Sequence, residues 1–384
     1  MTLHASTSPW KERYRRYERH LSAAAMIVGY AVDNFTFGRV DHPGAHLVFS
    51  GYLAVAVFSI ALAHWLQGRK DRAAQRAPAK GDATRPVEPE PERRFRLSVW
   101  LPAATQFALG GLWSGFLVFY SRSAVLAASW PFLLLLLAFL IGNEVFRRYH
   151  SRLVFVSLLL FFALYSYAVF SVPVLTRSIG QMTFLASGAC AIVAYYFFLR
   201  LLWVLDRDRY RQSRWLLIGG AVVITAAMNA FYFTGVLPPL PLALSDVGIY
   251  HGIRHTGAVY QVQEEPQPLT VRFGLARPVV HVAAGEKLAL YSAVFAPIRM
   301  TTRITHLWQW WNSRAKQWQT LSTISFPISG GRAHGYRGYS LKTNLRGGDW
   351  RVNIDSADGR LIGQLVFHVV AVSSPVQTET KTLQ

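Results

Sequence analysis

Four ionisable residues crowd the end of the first apolar run of this chain: Asp33, Arg39, Asp41 and His42. Asp33 stands about 12 residues into its segment, roughly 18 Å along a helix that rises about 1.5 Å per residue, just past the middle of a bilayer. A carboxylate at that depth is costly and usually faces a protein interior or a water-filled cavity. Asp33, Arg39 and Asp41 would then form a proton or cation site, or a grip on a polar headgroup. A structural ion pair or helix cap is the competing use. Gln106, in the third apolar run, joins them as a polar group at membrane depth. Gln106 and Asn229 would serve equally as hydrogen-bonding glue between helices. Asn143 and Glu144 close the fourth run beside Arg147 and Arg148, where salt bridges at i,i+3 or i,i+4 account for them.

The C-terminal third offers different chemistry. His306, Trp308 and Trp310 alternate onto one face of a strand, while Leu307, Gln309 and Trp311 take the other. Together with Trp318, Tyr336 and Tyr339 they would make an aromatic strip that stacks on sugar rings, with Arg337 and Gln309 as polar contacts. The alternative is a packed core plus a patch lying on the bilayer. His251 and His255 are spaced i,i+4, but Arg254 between them repels a cation and the His-Glu-x-x-His pattern is absent. No nucleophile elbow, phosphate loop, dinucleotide fingerprint or catalytic carboxylate pair occurs. Gly330-Gly331-Arg332 reads as a hairpin loop. The sequence therefore points to no catalytic residue, no metal and no cofactor. The single cysteine, Cys190, lies in an apolar run and reads as a buried, inert thiol.

The elements that position these residues are set by hydropathy. The chain is 52% hydrophobic and 16% charged, against about a quarter charged in soluble domains. A spanning helix needs about 20 mainly apolar residues. Seven segments approach or meet that: 21–38, 46–66, 98–120, 125–146, 152–175, 180–203 and 214–236. Of the first 25 Lys and Arg residues, 22 fall in alternate gaps of this ladder, and only Arg39, Arg122 and Arg177 fall in the others. Basic residues mark cytoplasmic loops, so residues 1–20 form a basic cytoplasmic segment and seven crossings put the C-terminal part outside. Trp65, Trp100, Trp203 and Trp215 sit at the cytoplasmic ends. The net charge of +20 is thus mainly a topology signal rather than a nucleic-acid signal. The loop at 67–96 turns from basic to Pro/Glu-rich and reads as disordered.

Past Pro238-Pro239, which reads as a stiff elbow, short alternating runs recur at about 257–262, 268–273, 278–283, 287–295, 303–311, 317–323, 334–341, 348–355 and 360–370. Strands at that spacing predict a β-sandwich. In one hairpin, Trp350, Val352 and Ile354 share a face, and Asp358-Gly359 supplies the turn. The expected fold is a membrane all-α bundle of about seven transmembrane helices (21–240) followed by an all-β immunoglobulin-like sandwich at 246–374, with a flexible tail at 375–384.

The β-domain pattern resembles an uncharacterised bacterial inner-membrane family that carries a domain of unknown function, DUF 2914. The resemblance rests on Ala296-Pro297, His306-Leu307-Trp308, Gly335-Tyr336-Arg337, Gly348-Asp349-Trp350-Arg351-Val352 and Asp358-Gly359-Arg360-Leu361-Ile362-Gly363. In the membrane half it rests on Asp33, Gly38 to Asp41, Gln106-Phe107, Asn143-Glu144, Pro238 to Leu242 and Ile249-Tyr250-His251. It implies an architecture and no activity. The expectation is a multi-pass protein of the bacterial inner membrane, N-terminus cytoplasmic, presenting a periplasmic β-domain. Besides the bilayer, that domain would bind an envelope glycan, a lipid headgroup or a protein partner, through His306, Trp308, Trp310, Arg337 and Tyr339. The alternative is a transporter of a small ion or lipid-linked molecule using Asp33 and Gln106. A membrane enzyme is a third class, without a recognisable site.

Overall fold

Long apolar runs become six long helices in the computed structural model, which describes residues 43–76, 92–123, 125–145, 152–257, 259–272, 276–298, 300–332 and 335–383. They are α1 (Pro43–Arg76), α2 (Glu92–Arg122), α3 (Leu126–Val145), α4 (Leu153–Thr176), α5 (Gln181–Leu205) and α6 (Arg207–Phe233). Five contain stretches long and apolar enough to cross a membrane, and α3 holds a shorter one, Ala128–Asn143. The first expected span, at 21–38, lies outside the described residues. The spanning window of α4 is 72% buried within the protein and that of α6 only 17%, so α4 is the central helix and α6 a peripheral one.

The expected loop at 67–96 is shorter than its polarity suggests. Helix α1 runs on to Arg76 and α2 starts at Glu92, while 77–91 lie outside the described residues. Lys, Arg, Ala, Gln and Glu are good helix formers even where no apolar face is present. Helix α6 likewise begins at Arg207, ahead of the apolar run, because Asp206 caps it: its Oδ1 accepts from the backbone N–H of Arg209 at 3.2 Å. Cys190 is exposed on α5 rather than buried.

The chain divides into two compact units. The first takes the helical residues up to Phe119, Leu133–Ala168 and Gly188–Ala227. Inside it, Phe49 of α1 stacks on Phe116 of α2 at 5.3 Å, and Trp113 of α2 meets Phe139 of α3 at 5.1 Å and Phe162 of α4 at 5.5 Å. At the other end of these helices, Arg72 pairs with buried Asp206 at 2.9 Å. Gly68 permits that approach, since a Cβ there would stand 1.6 Å from Asp206 Oδ2.

The second unit combines Tyr120–Phe132, Val169–Ser187 and everything from Met228. Its strands are β1 (Ala243–Tyr250), β2 (Gly252–Thr256), β3 (Val259–Glu264), β4 (Val279–Ala283), β5 (Leu288–Phe295), β6 (Thr301–Asn312), β7 (Gln317–Ser329), β8 (Tyr336–Lys342), β9 (Gly348–Ser356), β10 (Leu361–Val372) and β11 (Glu379–Leu383). They form a five-stranded sheet β4-β10-β9-β6-β7 and two three-stranded sheets, β1-β5-β8 and β11-β3-β2. Trp308, Trp350, Val352, Ile354 and Phe367 of the five-stranded sheet pack against Leu288, Leu290 and Val294 of β5. The opposite face of β5 supplies Tyr291 and Ala293 to a second core with Tyr250, Val262 and Leu383. Every residue of β5 is therefore buried, which explains its unbroken Leu-Ala-Leu-Tyr-Ser-Ala-Val-Phe run, a pattern typical of strands covered on both faces.

The β9–β10 hairpin turns at Asp358-Gly359 as the sequence predicts, with Gly359 at φ 76°. Two expectations are corrected. Residues 268–273 supply a four-residue helix, α7 (Leu269–Arg272), where Pro266 and Pro268 interrupt strand pairing. The tail at 375–384 carries β11, which pairs with β3 and buries Leu383. The boundary at 246 also moves, because β1 begins at Ala243 and Leu242 is already in the core.

Within this unit the elbow at Pro238-Pro239 is held from several sides. Arg360 Nη2 donates to the carbonyl oxygen of Leu237, and its guanidinium lies 4.4 Å over the ring of Tyr232. Tyr232 donates to Asp358 at 3.3 Å, and Ile179, from the α4–α5 connection, packs on the β-core.

Candidate functional site

The β-domain carries a solvent-open cleft of about 660 Å³, within the roughly 300–1,000 Å³ typical of ligand sites. Strand β1 brings Asp246 and Tyr250 to it, the end of β3 brings Glu264 and Glu265, and β11 brings Glu379 and Lys381. The register places Glu379 opposite Glu264. Like charges at directly opposed positions cost stability unless a cation stands near them. Lys381 answers Glu264 at 3.0 Å, and Asp246 and Glu379 have no ion-pair partner among the described residues. Burial, reinforced by the Asp246 and Glu264 carboxylates, raises the Tyr250 phenol above its ordinary value, so it stays protonated as a donor.

A buried ionic network forms the floor. His251 Nε2 lies 2.6 Å from Glu265 Oε1, and its Nδ1 lies 2.6 Å from Glu286 Oε1. Both ring nitrogens are thus engaged by carboxylates. Glu265 also accepts from the backbone N–H of His281 at 2.7 Å and contacts His281 Nδ1 at 2.9 Å. Burial pushes the Glu265 carboxyl up, but the hydrogen bonds from His281 and His251 outweigh it and leave it below its ordinary value. Glu286 in turn accepts from the Ala283 N–H at 2.9 Å. The four side chains clamp the β1–β2 turn to the edges of β4 and β5. His251 and His255 do not share a helical face: they lie on extended backbone, and His255 stacks on Tyr260 at 4.5 Å. Among the described residues no group of three His, Cys, Asp or Glu side chains could hold a metal.

The residues expected to form an aromatic strip separate into three places. His306 and Trp308 are fully buried, which corrects their expected contact with a ligand. The reason is the pairing of β6 with β9, which turns their face onto the β5 sheet. Ser292 and Ser340 satisfy the imidazole at 2.9 and 2.8 Å, and Ser340 also accepts from Trp308 Nε1 at 3.0 Å. Burial lowers the His306 pKa to about 4 and so keeps the ring neutral. Trp310, at the end of that face, is half-buried and donates to the Gly347 carbonyl at 3.2 Å. Arg337 and exposed Tyr339 sit on the other face of β8, where Tyr339 meets Tyr260 edge-on at 6.4 Å.

The solvent side of the five-stranded sheet carries what the alternation assigned to the opposite face. Trp311 and Trp318 meet at 5.3 Å, Arg351 lies 4.5 Å over Trp318, and Arg351 Nε donates to Gln309 at 2.6 Å. These groups satisfy one another. In the helices, Asp33, Arg39 and Asp41 lie outside the described residues. The backbone carbonyl of Gln106 accepts from Asn143 at 2.9 Å, so α2 and α3 are joined there through Asn143. The cleft residues escaped sequence reasoning because strands β1, β2 and β11 did. The signal available was the density of acids at Glu264-Glu265, Glu286 and Glu379 in a domain otherwise rich in Lys and Arg.

The fold thus defines a class: a helical region with several apolar helices, followed by a β-sheet domain. Within that domain, residues 301–369 match the family described as a protein of unknown function (DUF2914). The match spans β6 to β10 and is consistent with a DUF2914-type domain there; its description brings no activity. A comparison with curated proteins gives no match. Among solved structures, an immunoglobulin-like protein from Pseudomonas aeruginosa is 15% identical, covering 33% of this chain and 97% of that one with a TM-score of 0.19. The alkylpurine DNA glycosylase AlkC of Pseudomonas fluorescens, bound to DNA containing an abasic site analog, is 10% identical, covering 85% of this chain and 98% of that one at 0.17. Scores this low carry no argument about fold or function.

Proposed function

We propose that the protein is a non-enzymatic, multi-pass inner-membrane protein whose β-domain is a binding module for an envelope glycan on the outer side of the membrane. The chain crosses the membrane seven times in this reading, with its N-terminus cytoplasmic. The alternating basic gaps support that orientation. So do the Trp–Arg pairs at one set of helix ends: Arg69 over Trp65 at 4.4 Å, Arg207 over Trp203 at 4.2 Å and Arg214 over Trp215 at 4.9 Å. Indole and guanidinium together suit the membrane–water interface.

The observation that carries the ligand class is the opposed Glu264–Glu379 pair in a cleft that also holds Asp246 and Tyr250. Carboxylates accept hydrogen bonds from sugar hydroxyls and attract protonated amines, so the cleft favours an amine-bearing glycan over an acidic one. Calorimetric titration of the full chain in lipid nanodiscs with glucosamine oligomers and with their N-acetylated counterparts tests this. The expected result is preferential binding of the free-amine oligomers, weakened at least tenfold by Asp246→Asn combined with Glu379→Gln. Flat curves for both oligomers sink the reading.

A further inference from the structure

The helical unit contains a second cavity, unrelated to the cleft, of about 140 Å³. That is far above the roughly 10–15 Å³ that admits one water. Its polar wall consists of His64, Gln67 and Lys70 of α1, Thr105 of α2 and Arg209 of α6. Its other wall is apolar, from Ile60, Leu101 and Val156. All of these sit at the helix ends that carry the Arg72–Asp206 pair.

One buried atom gives the chemistry. His64 is 2% exposed. Its Nε2 lies 3.2 Å from the Leu202 carbonyl oxygen, an acceptor only, so Nε2 carries the proton and Nδ1 presents a lone pair. That Nδ1 is buried with no hydrogen-bond partner among the described residues, in a residue that lines the cavity. A buried acceptor left unpaired is rare and costly. Lys70 and Arg209 meanwhile supply two positive charges at the cavity's rim; Asp71 touches Arg209 only loosely, at 3.7 Å.

A ligand that answers all three features is an anion that still carries a hydrogen-bond donor and an apolar chain. From this we infer that the cavity binds the headgroup of a membrane lipid that ends in a phosphate monoester. Its ionised oxygens meet Lys70 and Arg209 as charge-assisted pairs. A monoester's second ionisation falls near pH 6, so only about a tenth of it keeps a P–OH at pH 7. Binding selects that form, whose proton can be donated to Nδ1, whereas a phosphodiester has no such proton. The acyl chains leave along the Ile60, Leu101 and Val156 wall. The inference rests on reading these helices as membrane-spanning.

Native mass spectrometry of the detergent-solubilised full chain tests it, with dioctanoyl phosphatidic acid, dioctanoyl phosphatidylmethanol and dioctanoyl phosphatidylcholine as probes. One phosphatidic acid should be retained at least tenfold more tightly than either diester. Lys70→Gln with Arg209→Gln should abolish that preference, and His64→Leu should bring phosphatidic acid down to the level of phosphatidylmethanol. The control variant Arg200→Gln with Arg207→Gln removes the same charge from the Trp203 stack and should leave the preference intact. Equal retention of the three lipids, or an equal loss in the control variant, overturns the inference. Displacement of phosphatidic acid by equimolar inorganic phosphate overturns the assignment to a lipid. Insertion into phosphatidylcholine vesicles is scored separately: failure to insert refutes the membrane reading, whereas insertion without a monoester preference refutes only the site.

Discussion

Replacing Ser340 by alanine removes one oxygen from the β-domain core and orphans two partners. The Ser340 hydroxyl lies 2.8 Å from His306 Nδ1 and accepts from Trp308 Nε1 at 3.0 Å. Both partners have no solvent exposure, so water cannot replace the lost contact without opening the sandwich. Each buried group left unpaired costs about 1–3 kcal/mol, which gives Ser340→Ala, with two such groups, a loss of about 2–6 kcal/mol. Ser292 serves only His306 Nε2, at 2.9 Å. Ser292→Ala should therefore cost about 1–3 kcal/mol, roughly half as much, with a nearly identical change in volume. Denaturant unfolding of the full chain in detergent, followed by near-ultraviolet circular dichroism, compares the two. Hydrogen exchange in β6 assigns the loss to the right layer. Equal losses for the two variants, or a Ser340→Ala effect under about 0.5 kcal/mol, would refute the reasoning; that small value is ordinary for a surface substitution.

Two further perturbations have worked signs. Burial lowers the His306 pKa from 6.5 to about 4, so the unfolded chain binds more protons across that window and stability falls as pH drops through it, by roughly 3 kcal/mol. Burial raises the half-buried Asp355 from 3.8 to about 6, so the folded chain binds more protons between those values and stability rises by a similar amount as pH drops. The two nearly offset each other; Asp355→Asn should expose the His306 loss as a sloping stability between pH 6.5 and 4, and an unchanged profile in that variant rejects the assignment. Separately, Gly68→Ala should destabilise the helical unit although alanine is the better helix former by about 1 kcal/mol, because the new Cβ would displace Asp206 from its pair with Arg72. A melting temperature raised in that variant would show that the contact is not tight.

Hydropathy was legible because it needs only local composition. Apolar runs located α1 to α6, and short alternating or apolar runs located β3 to β10 apart from their ends. What could not be read were elements whose reason is a distant partner. Strand β11 has the polar run Glu379-Thr380-Lys381-Thr382, and only pairing with β3 makes it a strand. The face of β6 was equally undetermined, since aromatic residues stand on both sides. Pairing with β9 buried His306 and Trp308 and left Trp311 outside. The candidate site follows the same logic. Asp246, Glu264 and Glu379 are far apart in sequence and meet only because β1, β3 and β11 converge, whereas the isolated carboxylates Asp33 and Asp41 stood out by contrast with their apolar surroundings.

The grip of Arg360 on Leu237 and Tyr232 has a practical meaning for dissecting the chain. Composition changes at Pro238-Pro239, and an enzyme or a cloning primer would be aimed there. The compact unit that holds the β-domain instead reaches back to Met228 and includes Tyr120–Phe132 and Val169–Ser187. A fragment begun at residue 246 forfeits Leu242, uncovers the surface under Ile179 and leaves the Arg360 guanidinium without its carbonyl. The natural line of separation is drawn across the helices themselves, so what is soluble by composition is not what is whole by packing.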